Sequence, residues 1–183
     1  VNAGPGLLMH LKPAKGKPRP VGQAIVDSLF PAGDKGRIPI VGIAGSKGTS
    51  LTARLMSWLL QLTGRHVGLA CRDGLFLDKR LVDKRDSAHW AAGQRLLINR
   101  SVDAAVFENG PAMILGEGIA YDRCQVGIVT AATGFEALGE FDIHNAEQLY
   151  HVLRTQVDIV LPEGAAVLNA ADPLVARMAE LCD

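Results

Sequence analysis

Apolar and polar positions follow two different rhythms along most of this chain. From Arg37 onward, short apolar runs suited to buried strands take turns with longer segments in which apolar residues recur every three or four positions, as in amphipathic helices. Strands that alternate with helices are typical of an α/β fold, with a mostly parallel sheet and helices on both faces. The pattern predicts strands at 38–43, 66–70, 104–108, 126–130, 159–161 and 165–169, and helices at 50–63, 87–97, 145–156 and 173–181.

The predicted sheet also indicates where a ligand would bind. In open α/β sheets, ligands bind at the carboxyl ends of the strands. The loop 42–50, Asp73, Glu108 and Thr130 all fall at such ends. Within the helix predicted at 50–63, an apolar stripe is predicted to face the core; its residues are Leu55, Trp58, Leu59 and Leu62.

The first 36 residues follow a different pattern. Residues 2–6 have the composition of a turn, and residues 12–20 form a basic, proline-rich segment typical of a linker. A short helix is predicted at 21–30, and glycine and proline interrupt the pattern again at 31–36. We therefore expect a boundary before residue 37.

Composition narrows the classes of function. The chain has 183 residues, and its 19 Lys and Arg balance its 19 Asp and Glu, so no overall field attracts nucleic acid or an acidic membrane. No apolar run approaches the ~18 residues of a membrane span. The three cysteines lie far apart without a CxxC pair, which argues against a zinc knuckle or disulfide framework and fits a reducing cytoplasm. Cys71 is predicted to be a small buried residue, not a nucleophile. Since the chain begins at Val1 without Met, we expect it to be a piece of a longer protein.

The loop after the first strand has the glycine spacing of a phosphate-binding loop. Glycines at 42, 45 and 48 let the backbone bend and turn its N–H groups, with the helix N-terminus, toward an anion. Such a loop normally places a lysine directly before the Ser or Thr that binds Mg²⁺. Here Thr49 precedes Ser50, and Lys47 lies two residues too early to replace that lysine. The pattern indicates a remnant nucleotide site, the alternative being a plain glycine turn; its residues are Gly45, Ser46, Lys47, Gly48, Thr49 and Ser50.

Several segments together resemble the cyanophycin synthetases, whose central domain is of the Mur ligase type. The segments lie at 37–41, 73–74, 102–106, 122–127 and 167–173. Residues 1–6, with His10 and Arg19, resemble the end of the ATP-grasp domain of the same enzymes. The resemblance implies that residues 1–36 are the C-terminal end of an ATP-grasp domain and a linker. It implies that residues 37–183 are a degenerate P-loop Mur-ligase central domain without the C-terminal lid domain.

The resemblance also implies substrates, cofactors and site residues. Cyanophycin is a storage polymer with an aspartate backbone and arginine branches. In the family, the ATP-grasp domain adds aspartate and the Mur-like domain adds arginine, each using ATP and Mg²⁺ to form an acyl phosphate that an amine attacks. By this resemblance Asn2 belongs to the ATP-grasp Mg²⁺ site, and Glu108 is a remnant Mg²⁺ carboxylate. Asn169 and Asp172 would lie near the adenine.

The departures from the family pattern fall on the chemistry. Thr49 replaces the loop lysine, and Leu153 stands where the family has a lysine that Mur ligases carbamylate to hold a second Mg²⁺. The family's arginine is missing from residues 109–113, and its Asn and Asp-His are missing from 131–136. These losses remove most of the charge that stabilises transfer of the γ-phosphate. We therefore expect this domain to bind nucleotide weakly or not at all and to be catalytically inactive.

Three functional hypotheses follow. The one that we favour is a shorter class of cyanophycin synthetase, which polymerises ready-made β-aspartyl-arginine at its ATP-grasp site and keeps the Mur-like domain as a scaffold. The second is the middle of a full synthetase that adds arginine to aspartate side chains with different residues. The third is a non-catalytic module that binds polymer or a partner subunit. The expected protein is cytoplasmic and homo-oligomeric through its longer form, with cyanophycin or β-aspartyl-arginine as substrate and no contact with nucleic acid or membrane.

Overall fold

The chain divides into two compact units, residues 1–37 and 38–183. The computed structural model describes residues 6–30, 32–34 and 36–182. Asn2, which was predicted to belong to an ATP-grasp metal site, lies outside the described residues. The first unit contains two helices, α1 (Leu8–Leu11) and α2 (Val21–Leu29).

A seven-stranded sheet forms the centre of the second unit. Its strands are β1 (Ile40–Ala44), β2 (Val67–Cys71), β3 (Gly74–Leu77), β4 (Arg80–Asp83), β5 (Ala104–Asn109), β6 (Cys124–Val129) and β7 (Val160–Leu168). The order across the sheet is β4-β3-β2-β5-β1-β6-β7. The five strands from β2 to β7 in this order are parallel, and β3 runs antiparallel to both of its neighbours, β2 and β4. Strands β1, β2 and β5 are buried along their whole length, which explains their continuous apolar runs.

Helices cover both faces of the sheet. They are α3 (Thr49–Gln61), α4 (Trp90–Leu97), α5 (Pro111–Gly116), α6 (Ala146–Asp158) and α7 (Pro173–Arg177), with 3₁₀ turns at Phe135–Phe141 and Met178–Leu181. Among the described elements, α3 lies over β1, β2 and β5 on one face, and α4 and α6 lie on the opposite face. The predicted α/β fold is confirmed. None of the helices in the described ranges has the length and apolar character needed to cross a membrane.

Two glycines allow α6 to pack closely on the sheet. Gly42 in β1 lies beside Gly127 in β6, and a Cβ at either position would lie within 3 Å of an atom of Gln156 on α6. The Gln156 side chain is fully buried in this glycine trough, where Asn109 Nδ2 donates to its Oε1 at 2.7 Å and Tyr121 Oη donates at 3.0 Å. Asn109 Nδ2 also donates to Tyr121 Oη at 2.8 Å. The three polar side chains are therefore hydrogen-bonded to one another inside the core.

Two parts of the strand prediction were wrong. The sequence pattern did not predict β3 and β4, because four-residue strands joined by a two-residue turn are too short to show a period. Asp78 in that turn adopts a φ of 53°, and its carboxylate accepts a hydrogen bond from the Val67 N–H at 2.8 Å. The strands predicted at 159–161 and 165–169 are one strand, β7, because a register shift against β6 accommodates the intervening residues 162–164.

The prediction that the apolar stripe of α3 faces the core was also wrong. Leu55, Trp58, Leu59 and Leu62 are 41–65% exposed. The helix instead contacts the sheet through small side chains, with Thr49, Ala53 and Ser57 buried. Met56 and Leu60 are partly buried against the same face of the sheet, while the predicted stripe points outward.

Candidate functional site

The carboxyl ends of β1, β5 and β6 meet the N-terminus of α3. The loop 45–48 joins β1 to α3, as the strand–glycine–helix pattern predicted. Gly45 has a φ of 143°, and a Cβ there would lie 2.2 Å from Thr130 Oγ1. Gly48 has a φ of 76°. Both positions therefore require glycine, for different reasons: close approach at Gly45 and left-handed backbone at Gly48.

The loop is tied to the segment that follows β6. The Ser46 N–H donates to the Ala131 carbonyl at 3.0 Å, and Ser46 Oγ accepts from the Thr133 N–H at 3.0 Å. Thr130 Oγ1 donates to the Lys47 carbonyl at 2.6 Å. These bonds anchor the loop to the segment after β6, and they use the Ser46 N–H inside the protein.

Glu108 lies at the centre of the candidate site, and its side chain is completely buried. Thr49 Oγ1 donates to its Oε1 at 2.7 Å, and Ser50 Oγ lies 2.9 and 3.0 Å from the two carboxylate oxygens. The Arg72 N–H donates to Oε2 at 2.8 Å, and Arg72 Nε lies 3.3 Å from Oε1. Both carboxylate oxygens therefore have donors from the protein, and the Arg72 guanidinium balances the charge.

The residues at this site differ from those of a phosphate-binding loop that holds Mg²⁺ and a nucleotide. Mg²⁺ requires near-ideal octahedral oxygen ligands at about 2.0–2.1 Å. The negative charge of Glu108 is already balanced by Arg72, and Thr49 supplies a hydroxyl where a phosphate-binding loop supplies an ammonium group. Across the described ranges, no cluster of three or more His, Cys, Asp or Glu side chains is arranged to hold a metal ion.

Leu153 of α6 occupies the position at which the family, by the resemblance described above, has a metal-holding lysine. Its side chain is fully buried in an apolar cluster with Ala44 of β1 and Val129 of β6. A hydrocarbon side chain at this position supplies no ligand atom. The second metal site that the resemblance describes therefore lacks its donor.

Asn169 and Asp172, predicted to lie near an adenine, hold the loop after β7. Asn169 Nδ2 donates to the Thr130 carbonyl at 2.8 Å. Asp172 Oδ2 accepts from the Ala132 N–H at 2.8 Å, and its Oδ1 accepts from the Leu174 N–H at 3.1 Å at the start of α7. Both side chains lie at the same edge of the sheet as the glycine loop, and both have structural partners there.

Sequence reasoning missed the role of Arg72. Arg72 and Asp73, at the end of a strand, were expected either to contact a ligand or to form a solvated pair. In the structure Asp73 pairs with Arg54 at 3.2 Å, and Arg72 Nε lies 3.3 Å from Glu108 Oε1. The available signal was the position of Arg72 directly after β2, which is next to β5 in the sheet.

Arg72 and Lys47 lie together on the wall of a cavity of about 480 Å³. Its other lining residues are Ser46, Asp86, Ala88, Gly110, Pro111, Ala112, Met113, Thr133, Gly134, Ala137 and Leu138.

The prediction for Cys71 is confirmed. Its side chain is fully buried, and burial raises the pKa of its thiol to about 11. Burial likewise raises the pKa of the Cys124 thiol to about 11. Neither group is a thiolate at neutral pH, so neither has the reactivity of a cysteine nucleophile.

Comparison with known proteins identifies relatives of the whole chain. No family model matches the sequence. The curated cyanophycin synthetase of Synechocystis sp. (strain ATCC 27184 / PCC 6803 / Kazusa) is 39% identical over 98% of this chain and 20% of its own length. That of Crocosphaera subtropica (strain ATCC 51142 / BH68) is 40% identical over the same shares. The chain thus spans about a fifth of the curated relatives that it matches.

Solved structures show which fold this segment has. A UDP-N-acetylmuramoyl-L-alanyl-D-glutamate–2,6-diaminopimelate ligase matches with a TM-score of 0.62 and 14% identity, over 78% of this chain and 29% of that one. A bifunctional folylpolyglutamate synthase/dihydrofolate synthase, solved with Mn, AMPPNP and L-glutamate bound, matches with a TM-score of 0.56 and 17% identity, over 96% and 48%. The chain is therefore a homologue of the cyanophycin synthetases over about a fifth of their length, and it has the α/β fold of the Mur ligases.

Proposed function

We propose that this chain is part of an ATP-dependent amide ligase that makes cyanophycin, and that residues 37–183 are a scaffold that does not transfer phosphate. Homology to cyanophycin synthetases over 98% of the chain supports the first part. The second part rests on one observation, the buried Glu108 carboxylate whose two oxygens are bonded by Thr49, Ser50 and Arg72. Both oxygens of this carboxylate therefore have hydrogen-bond donors from the protein itself.

Charge is the reason that this arrangement is a poor catalyst. Phosphoryl transfer depends on cations placed around the γ-phosphate, and removing one such group costs about 3 kcal/mol. In this site the Arg72 charge is engaged by Glu108, so Lys47 is the remaining cation of the cavity wall. A loss of about 3 kcal/mol corresponds to roughly 150-fold in affinity. A site that would bind ATP at about 1 µM would weaken to about 0.1–0.2 mM, so we expect ATP with Mg²⁺ to bind the chain no tighter than about 0.1 mM.

Calorimetric titration of the chain with ATP and Mg²⁺ tests this expectation. Binding in the micromolar range would contradict the scaffold proposal. The variant Thr49→Lys returns an ammonium group to the loop, and Thr63→Lys adds the same charge at the far end of α3 as a matched control. We expect Thr49→Lys to leave the longer protein unable to add arginine at this site, because the other losses remain.

We further propose that the longer protein polymerises β-aspartyl-arginine with ATP and Mg²⁺ at an ATP-grasp site to which residues 1–36 contribute. An ATP-grasp site extends a main chain by one amide per ATP, but it does not also join arginine to side chains. Working on this storage polymer would place the protein in the cytoplasm, with cyanophycin as its binding partner.

Incubating the longer protein with primer, ATP, Mg²⁺ and either the dipeptide or free aspartate and arginine separates the alternatives. Polymer from the dipeptide alone supports the proposal. Polymer from the free amino acids without another enzyme would indicate a full synthetase with a working Mur-like site. Asn2→Ala should nearly abolish polymerisation, whereas Glu108→Ala should leave it almost unchanged in protein that remains folded.

A further inference from the structure

Two neighbouring grooves lie beside the C-terminal end of α3, where β2 begins and the β3–β4 hairpin turns. Their volumes are about 230 and about 620 Å³, and Gln61, Asp78 and Lys79 belong to the walls of both. The two are therefore parts of one continuous surface, which we call the hairpin groove. In addition to the three shared residues, its walls contain Trp58 in the smaller part and Arg65 and Arg80 in the larger part.

The larger part of the hairpin groove carries an excess of positive charge. Arg65, Lys79 and Arg80 are all exposed, and within the described ranges their side chains form no ion pair or hydrogen bond. The carboxylate in the same wall, Asp78, already pairs with His66 at 3.0 Å. Unpaired cations around one concave surface attract an anionic ligand, and guanidinium groups bind carboxylates through two parallel hydrogen bonds. The larger part is therefore suited to carboxylates.

The smaller part of the hairpin groove is suited to a cation. Trp58 is 52% exposed, and the face of a tryptophan ring is the best aromatic partner for a guanidinium or ammonium group. Asp78 lies beside it in the wall and keeps its negative charge, because the hydrogen bond with His66 lowers the pKa of its carboxyl. The cation already present there, Arg54, is paired with Asp73 at 3.2 Å.

Protection of the sheet edge does not account for the whole pattern. β4 is an edge strand, and cations on such a strand discourage pairing with other chains. That explanation covers Lys79 and Arg80. It does not cover Arg65, which precedes the interior strand β2, or Trp58, which lies on α3. Side chains from three separate segments thus line one groove, with cations in one part and an aromatic ring and a carboxylate in the other.

We propose that the hairpin groove binds cyanophycin, apart from the site of amide synthesis, and holds an arginine branch by both of its charged ends. The inference rests on the proposed function for the identity of the polymer. In β-aspartyl-arginine the amide uses the α-amino group of arginine, which leaves a free carboxylate and a guanidinium on each branch. The carboxylate pairs with the three cations of the larger part, and the guanidinium stacks on Trp58 beside Asp78. Because the polymer repeats this branch, a branch that dissociates is readily replaced by its neighbour.

Calorimetric titration of the chain with a soluble oligomer of β-aspartyl-arginine, without ATP, measures this binding. We expect the double variant Lys79→Glu/Arg80→Glu to weaken binding by about 10-fold or more, and Trp58→Ala to weaken it by about 2- to 5-fold. Lys84→Glu/Arg100→Glu is the matched control, because it makes the same change in net charge at two exposed residues outside the groove. It should bind like the wild type.

Poly-aspartate of the same length separates this polymer from anions in general, because it has carboxylates but no guanidinium groups. We expect Trp58→Ala to leave the binding of poly-aspartate unchanged while it weakens that of the oligomer. Circular dichroism shows whether each variant is folded, and Arg65→Glu replaces the double variant if that one is not.

Three results would overturn the proposal: no binding of the oligomer at millimolar concentration, equal binding by the wild type and the groove variants, or equal loss in the matched control. Binding of poly-aspartate without binding of the oligomer would also overturn it, because the groove would then be a general anion site. The titration involves no turnover, so failure here leaves the proposed ligase function intact. That function is tested separately by polymer synthesis in the longer protein.

Discussion

Glutamine in place of Glu108 tests whether the buried carboxylate is a structural centre of the domain. The change keeps the shape of the side chain and removes its charge. The carboxylate accepts hydrogen bonds from the hydroxyls of Thr49 and Ser50 and from the backbone N–H of Arg72. A glutamine has a single acceptor oxygen, so one donor must rotate away or lose its partner.

The size of the effect follows from these contacts. Hydrogen bonds to a charged group contribute about 1.5–3 kcal/mol each, against about 0.5–1.5 kcal/mol for neutral pairs, so three of them lose about 3 kcal/mol in total. Loss of the ion pair adds little, because the Arg72 side chain is 52% exposed and water solvates its charge. The substitution also removes the cost of desolvating the buried negative charge, which offsets part of the loss. We expect Glu108→Gln to lower the free energy of unfolding by about 2–3 kcal/mol.

Equilibrium unfolding in urea, followed by circular dichroism, measures this change. With a slope of about 2 kcal/mol per molar urea, the midpoint should fall by about 1 M. Glu163→Gln on β7 is the matched control, because Glu163 is exposed, and it should change stability by less than about 0.5 kcal/mol. A loss below about 1 kcal/mol for Glu108→Gln would refute the reasoning. A folded variant of the longer protein that no longer makes polymer would show that Glu108 takes part in chemistry.

Three further results are expected. Gly42→Ala should destabilise the chain by about 3 kcal/mol or more in the same urea assay, because its Cβ would lie 1.8 Å from the tyrosine hydroxyl in the glycine trough, whereas Gly139→Ala, with open space around it, should cost less than about 1 kcal/mol. In the native state a thiol reagent at pH 8 should label Cys182 alone, and all three cysteines should react after denaturation, since the other two are buried. The pKa of His66 is raised by its hydrogen bond to Asp78, so the stability that this pair contributes is complete below the unfolded value of about 6.5 and is lost as the pH rises through the raised pKa. A histidine titration by NMR should show that Asp78→Asn lowers the pKa of His66; an unchanged pKa would contradict the pairing.

The buried strands and the glycine loop could be predicted from the sequence, because their signals are local. Strands β1, β2 and β5 are buried along their length and therefore appear as apolar runs, with polar residues only at the end of β5. The orientation of α3 could not be predicted in this way. Periodicity shows which residues share one face of a helix, but not which face meets the sheet. Here Thr49, Ala53 and Ser57 are buried against the sheet, with Met56 and Leu60 partly buried beside them.

The bonding of Glu108 also depends on information that no local pattern contains. Arg72 lies 36 residues away in the chain and reaches Glu108 only because β2 and β5 are neighbours in the sheet. The loss of the loop lysine at Thr49 could be read directly, but the buried hydroxyl–carboxylate contact that replaces it could not. The interpretation of residues 1–36 as the end of an ATP-grasp domain stays a prediction.

The glycine trough constrains how this sequence can evolve. A larger residue at Gly42 meets the side chains of Tyr121 and Gln156, and one at Gly127 meets Val160 and the backbone of Gln156, so either becomes acceptable only together with changes in these neighbours. Lys47 differs, because its side chain is exposed and its replacement displaces no packed neighbour. Among descendants of this chain we therefore expect the trough positions to change jointly and Lys47 to change alone, so that the site can drift while the architecture persists.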